Sequence, residues 1–254
     1  MTDRRTILQM MGGIPLAGLL ADPVLAAAIA DGLEPVSITT SKTGKKVNGV
    51  IAMPERLPAP VIVLVHEWWG LNDQIKTVAA EFARLGYVAL AVDLMDGQVA
   101  TTPDKARAQM GAVKADEAND TMASWINWVQ SRDDTTGKLG TVGWCFGGGW
   151  SLNGSLVAPV DATVIYYGRL TDDAARLGAL KGPVLGHFAT EDGWIDKAMV
   201  GGFTKAMDAA GKSHTTHWYE ANHAFANPTS ARYDEADAKL AWERTTKFFE
   251  ENLT

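Results

Sequence analysis

Leu139-Gly-Thr-Val-Gly143-Trp144-Cys145-Phe146-Gly147-Gly148 is the stretch on which the fold is read. Leu139–Val142 has the apolar character of a short strand, glycines follow, and a helix is predicted from Gly148. A small-x-Cys-x-small pattern between strand and helix has the form of a nucleophile elbow, with cysteine where serine is more usual. On so sharp a turn the side chains two positions to either side would collide, which explains the glycines. The helix beyond points its N-terminal N–H groups at the central residue and so favours a thiolate and a developing oxyanion. Two other readings stay open on these residues alone. A glycine-rich turn before a helix can cradle phosphate, although neither G-x-G-x-x-G nor G-x-x-x-x-G-K-[ST] occurs. A lone cysteine can also be a buried filler.

Outward from the elbow, short apolar runs alternate with helical periodicity. Val36–Thr40 and Val47–Met53 flank Thr43-Gly-Lys-Lys46 and read as a hairpin. Val61–Val65 reads as a strand buried on both faces. Asn72 or Asp73 is placed to cap a helix carrying Ile75, Val78, Phe82 and Leu85, which Gly86 ends before a strand at Tyr87–Val92. Residues 96–112 show no clean period and are expected to form a connection or short cap. Asp116–Val129, Phe203–Ala210 and Ala238–Leu253 are predicted helices, and Val164–Tyr167, Val184–Phe188 and Thr215–Tyr219 predicted strands. The alternation predicts an α/β fold, a mostly parallel sheet with helices on both faces.

Composition narrows the function classes. The 254 residues carry 23 Lys+Arg against 30 Asp+Glu, a net charge of −7, which speaks against a general nucleic-acid-binding surface. A single cysteine excludes an internal disulfide, and the chain has no CxxC. At the N-terminus, Arg4-Arg5, an uncharged run from Thr6 to Ala21 and the small residues up to Ala28-Ile-Ala30 have the arrangement of a twin-arginine export signal. Cleavage near Ala30 is expected to leave residues 31–254 as a 224-residue domain. It removes two acids and two bases, so the net charge stays at −7. The expected partner of the precursor is the twin-arginine machinery and the expected location is the periplasm, or the cytoplasm if the signal is not used. No membrane association is expected of the mature chain.

A cysteine nucleophile needs a base, and the base an orienting acid. His66, His187, His214 and His217 lie in or beside predicted strands, where a satisfied histidine is the ordinary reading. His223 instead follows the last strand in Glu220-Ala-Asn-His-Ala-Phe225. On folds with a nucleophile elbow the chain order is nucleophile, acid, histidine. The acid is then sought at Ala189-Thr-Glu-Asp192-Gly193, just past the Val184–Phe188 strand; Asp192 is preferred, with Glu191 in reserve and Asp196 weaker. Val61–Val65 runs into His66-Glu67-Trp68-Trp69-Gly70, and the loop after this strand normally supplies the second oxyanion-hole N–H. Trp68 and Phe146 are the assigned donors. Glu67 is either a carboxylate close to the thiol or a solvated loop acid. Trp69, Tyr167 and Trp194 are the candidate substrate-binding residues; the tryptophans around the site, Trp144 and Trp150 included, could equally be core.

These residues resemble the dienelactone hydrolase family of the α/β-hydrolase superfamily. The resemblance is carried by His66-Glu-Trp-Trp-Gly70, Gly143-Trp-Cys-Phe-Gly-Gly148, Tyr166-Tyr-Gly168, Asp192 and His223-Ala-Phe225, and runs from about residue 35 to the C-terminus. It implies a Cys145–His223–Asp192 triad, with Glu67 pairing the resting thiol until substrate displaces it. It also implies hydrolysis of an ester or lactone through a thioester, with no metal or cofactor. Two departures bear on the substrate. Family members acting on dienelactones carry an arginine shortly after the catalytic histidine, where this chain has Ala224-Phe-Ala-Asn227, with Arg232 further on. Met95 stands where tyrosine is common. A broader small-molecule ester or lactone hydrolase is therefore expected. The alternatives are an exported ligand-binding protein on the same scaffold and, with no resolving cysteine to help it, a redox-sensing thiol.

Overall fold

The computed structural model describes residues 11–254. Arg4 and Arg5, the pair on which the export motif rests, lie outside the described residues. The chain groups into two compact units, one up to Lys138 and the other from Leu139.

In the first unit, two short helices, α1 (Leu16–Ala21) and α2 (Pro23–Asp31), precede the strands. Asp22 caps α2 by accepting from the N–H groups of Val24 and Leu25, and Pro23 suits the first helical position. Leu19 and Ile29 are fully buried. The hydroxyl of Thr77 donates to the carbonyl of Ala26, tying α2 to α3 (Asp73–Arg84). Strands β1 (Glu34–Thr39) and β2 (Lys46–Ala52) form the expected hairpin, with Val36 opposite Gly49. β3 (Ala59–Val65) and β4 (Val88–Val92) pair in parallel, and β4 takes β2 antiparallel on its other side, giving the order β1-β2-β4-β3. From Val61 to Val65 every residue of β3 is buried, as its unbroken apolar run predicts. Asn72 is the cap of α3.

Residues 96–112 are more regular than expected. Pro103–Ala112 forms a helix, α4, capped by Thr102. Its surface is mostly polar, and most of its residues face solvent, so no apolar period marks it. α5 (Ala115–Gln130) follows. Its buried Asp120 accepts from the N–H groups of Lys42 and Thr43 and so holds the hairpin turn. Burial pushes that carboxyl's pKa up, but the hydrogen bonds from Thr43 and Lys42 outweigh it and bring the pKa down to about 2.

β5 (Thr135–Trp144) carries the chain into the second unit and is longer than expected at both ends. There the parallel order is β5-β6-β7-β8, with β6 at Ala162–Tyr166, β7 at Val184–Ala189 and β8 at His214–Tyr219. The helices are α6 (Phe146–Val157), the short α7 (Ala174–Leu177), α8 (Lys197–Ala209) and α9 (Glu235–Leu253). α8 starts six residues earlier than expected because Asp196 caps it, ahead of the Gly201-Gly202 pair that masks its period. Leu152, Ile165, Val184, Phe188 and Phe203 form the core of this unit.

α9 is anchored to the strands by a buried polar chain. Thr245 meets the Tyr166 hydroxyl at 2.6 Å and His187 Nε2 at 3.0 Å, while His187 Nδ1 meets the Tyr219 hydroxyl at 2.8 Å. Burial, reinforced by the charges of His217 and Arg244, pushes the His187 pKa well below its ordinary value. A histidine neutral when folded and protonatable when unfolded contributes stability above its unfolded pKa, near 6.5, and loses it as pH falls. Denaturant unfolding of His187→Gln should therefore depend less on pH than wild type between pH 6.5 and 5, by about 1 kcal/mol per pH unit. Equal slopes would show that His187 does not titrate on unfolding.

Candidate active site

The elbow has the backbone that its glycines permit. Cys145 sits at φ 54° and ψ −117°, left-handed for a non-glycine residue, immediately before α6. A Cβ on Gly143 would lie 2.0 Å from the carbonyl oxygen of Gly147, so no other residue fits. The N–H of Cys145 donates to the carbonyl of Tyr166 at 3.0 Å, which ties the turn to the end of β6. Phe146 opens α6, so its N–H belongs to the first helical turn, where the backbone has no intrahelical acceptor. Cys145 and Phe146 are both half-buried. The helix therefore begins at Phe146, directly after Cys145, rather than at Gly148.

Asp192 and His223 come together as the sequence predicts. Asp192 Oδ2 lies 2.6 Å from His223 Nδ1. Its Oδ1 accepts from the N–H groups of Trp194 (2.8 Å) and Ile195 (3.1 Å). Burial raises the pKa of this carboxyl, but His223 and the two backbone donors more than offset it, so the net shift is downward. An ionised Asp192 takes the Nδ1 hydrogen and leaves the basic lone pair on Nε2. Glu191 is held elsewhere, accepting from Asn222 at 2.7 Å. Asp196 is the cap of α8.

Aromatic rings hold the imidazole on two sides. Tyr167, fully buried, has its ring centroid 5.1 Å from that of His223, and Trp194 meets it edge-on at 5.0 Å. Trp194 is 62% exposed, the most open of the tryptophans named above. The Arg232 guanidinium lies 5.4 Å over the Trp194 ring, a position that sequence distance from His223 did not suggest. The buried Trp144 stacks on Tyr166 and belongs to the core.

In the first unit, the loop after β3 carries Glu67, Trp68 and Trp69. Glu67 is 3% exposed, which sets aside the solvated-acid reading. Trp68 and Trp69 are half-buried and meet edge to face at 5.2 Å. Met95 lines a cleft of about 790 Å³ together with Lys45, Asp96, Gln109 and Glu117. His66 is fully buried, with ring partners on the backbone of Glu67 and Leu94. Among the described residues, no group of three or more His, Cys, Asp or Glu is placed to hold a metal ion.

Known proteins are similar to this chain in sequence and in fold. Residues 47–253 match the model of the dienelactone hydrolase family. A carboxymethylenebutenolidase of Pseudomonas putida is 30% identical over 219 residues, 82% of this chain and 92% of its own. Protein usf of Aquifex pyrophilus is likewise 30% identical, over 84% of this chain and 96% of its own. Among solved structures, a dienelactone hydrolase-like promiscuous phosphotriesterase from metagenomic libraries superposes with a TM-score of 0.79. It covers 87% of this chain and 99% of its own at 20% identity, a likeness of fold. The expected α/β-hydrolase fold, with its mostly parallel sheet, is thus the observed one. The chain belongs to the dienelactone hydrolase family and is a hydrolase.

Proposed function

We propose that the protein hydrolyses carboxylic esters or lactones by covalent catalysis, with Cys145 as nucleophile, His223 as general base and Asp192 as its orienting acid. The observation that supports this most is the 2.6 Å Asp192–His223 bond, in the unit whose elbow presents a left-handed Cys145. His223 Nε2 takes the thiol proton and the sulfur attacks the substrate carbonyl. The carbonyl electron pair moves to oxygen, where the Trp68 and Phe146 N–H groups receive it. Collapse of this adduct expels the alcohol, which leaves with the proton from His223, and a thioester remains. Water, deprotonated by His223, attacks the thioester; the acid departs and the thiol is restored. Glu67 restrains the resting thiol, keeping a standing thiolate from oxidation until substrate arrives. Trp69, Tyr167 and Trp194 shape the substrate end of the site. The names of the relatives support a lactone as one substrate, and Asn227 and Met95 favour a wider range of esters.

Rapid-quench mass spectrometry with p-nitrophenyl acetate tests this reading: an acetyl adduct on the Cys145 peptide is expected. An ester and lactone panel with no turnover, alongside tight ligand binding, would favour a binding protein instead.

We also propose that the precursor is exported by the twin-arginine route and cleaved near Ala30. Intact-mass measurement of periplasmic protein should show a chain of about 224 residues starting near Asp31. A full-length chain would instead mean that α1 and α2 stay in place, where Leu19 and Ile29 already sit buried.

A further inference from the structure

The loop between β3 and α3 is held by its carbonyl oxygens. The Glu67 carbonyl lies 2.6 Å from His66 Nδ1 and also accepts from the N–H of Gly70 at 3.2 Å. The Trp68 carbonyl accepts from the Gln109 side-chain amide of α4 at 2.6 Å. The Trp69 carbonyl accepts from the N–H of Ala100 at 2.9 Å. Three consecutive carbonyls are thus tied down. Gly70 makes the turn that allows this, at φ +92°, where a Cβ would strike the Gln98 carbonyl oxygen at 2.1 Å.

The state of the His66 ring follows from its neighbours. The N–H of Leu94 donates to Nε2 at 3.1 Å, so Nε2 carries a lone pair and Nδ1 carries the hydrogen given to Glu67. Burial, against smaller opposing effects from the Glu67 carbonyl and Asp93, lowers the pKa of this ring and keeps it neutral. Asp93 is occupied in turn by the N–H groups of Met95 and Gly97.

The Glu67 carbonyl and the Trp68 N–H belong to one peptide plane and point in opposite directions along it. Whatever fixes the carbonyl therefore aims the N–H. We infer that His66 and Gln109 are positioning residues that preorganise the Trp68 N–H as an oxyanion donor, His66 by pinning the peptide before Trp68 and Gln109 by pinning the one after. The inference rests on the reading of Trp68 as a donor given under the proposed function. A peptide free to rotate would have to be reoriented as charge develops, and a fixed one adds no such cost.

The test uses the whole enzyme and p-nitrophenyl acetate. His66→Phe keeps a ring of similar size without the nitrogen atoms. It should lower kcat about 100-fold, the size of effect seen when one oxyanion donor is lost, with KM within about threefold. His66→Gln, whose amide can both donate and accept, should recover activity to within about tenfold of wild type. Gln109→Met should lower kcat about tenfold. Affinity for a trifluoromethyl ketone, whose adduct with the thiolate carries an oxyanion, should fall with kcat. The rate of iodoacetamide alkylation, in which sulfur displaces iodide without forming an oxyanion, should stay near the wild-type value. Parallel losses of ketone affinity and alkylation rate would indicate general damage and overturn the inference, as would folded His66→Phe with wild-type kcat. If His66→Phe does not fold, Gln109→Met decides, and a kcat within twofold of wild type overturns the inference. Failure of the proposed function looks different: Cys145→Ala would then be as active as wild type.

Discussion

Cys145→Ala should lower kcat/KM for p-nitrophenyl acetate by about 10⁴-fold or more, the scale at which loss of a nucleophile removes covalent catalysis. The substitution changes one sulfur and leaves the elbow intact, because alanine has the same backbone needs at φ 54° as cysteine. Thermal stability should therefore stay near wild type while activity collapses. Residual hydrolysis should reflect only binding and the oxyanion donors. In the wild-type enzyme iodoacetamide should label Cys145 slowly, and Glu67→Ala should speed that labelling if Glu67 restrains the thiol. Equal labelling rates would remove the gating role of Glu67, and undiminished turnover in Cys145→Ala would remove the nucleophile itself.

Asp192→Asn should cost about 10³- to 10⁴-fold in kcat through the proton on a neighbouring ring. The native carboxylate takes the His223 Nδ1 hydrogen at 2.6 Å while its other oxygen accepts from Trp194 and Ile195. An asparagine can keep the two backbone bonds with its oxygen, but it then presents NH₂ to Nδ1. The imidazole must answer with a lone pair at Nδ1 and carry its hydrogen on Nε2, where the base is needed. The defect should therefore appear in kcat, with KM little changed and the fold retained. A kcat within tenfold of wild type would mean that Asp192 does not set the tautomer.

Much of this site was legible because elbow chemistry leaves a local mark. Gly143 is demanded by the close approach of the Gly147 carbonyl oxygen four positions on, so this part of the pattern survives in the sequence as spacing. Asp192 and His223 follow strand ends, and strand ends can be read from apolar runs. α4 leaves little trace in the sequence because a helix with mostly solvent-facing residues has no apolar stripe; its cap Thr102 followed by Pro103 is the one local mark. The early start of α8 was hidden by Gly201-Gly202, although Asp196 was the mark of its cap. In the sequence Arg232 stands nine positions beyond His223, too far for spacing alone to connect the two. The chain after His223 returns it to the face of Trp194, which only the folded path reveals. Beside a strand, His66 reads in the sequence as an ordinary satisfied histidine. It is satisfied by the Glu67 carbonyl in the loop it precedes and by the Leu94 N–H, and that choice of partners gives it a candidate role.

The amino-acid sequence alone determined the alternation of strands and helices, the elbow at Cys145 and the chain order in which Cys145, Asp192 and His223 stand as candidates. Each of these rests on interactions among near neighbours in the chain: apolar periodicity, glycine at a crowded turn, residue type at a strand end. The tertiary structure decided which acid meets His223, that Glu67 is buried, that Arg232 lies over Trp194 and that Leu94 fixes the tautomer of His66. Those outcomes depend on which residues far apart in the chain come within hydrogen-bonding or stacking distance. Hydrogen bonds and ring contacts of that kind act over a few ångströms and leave no period or spacing in the sequence to be read.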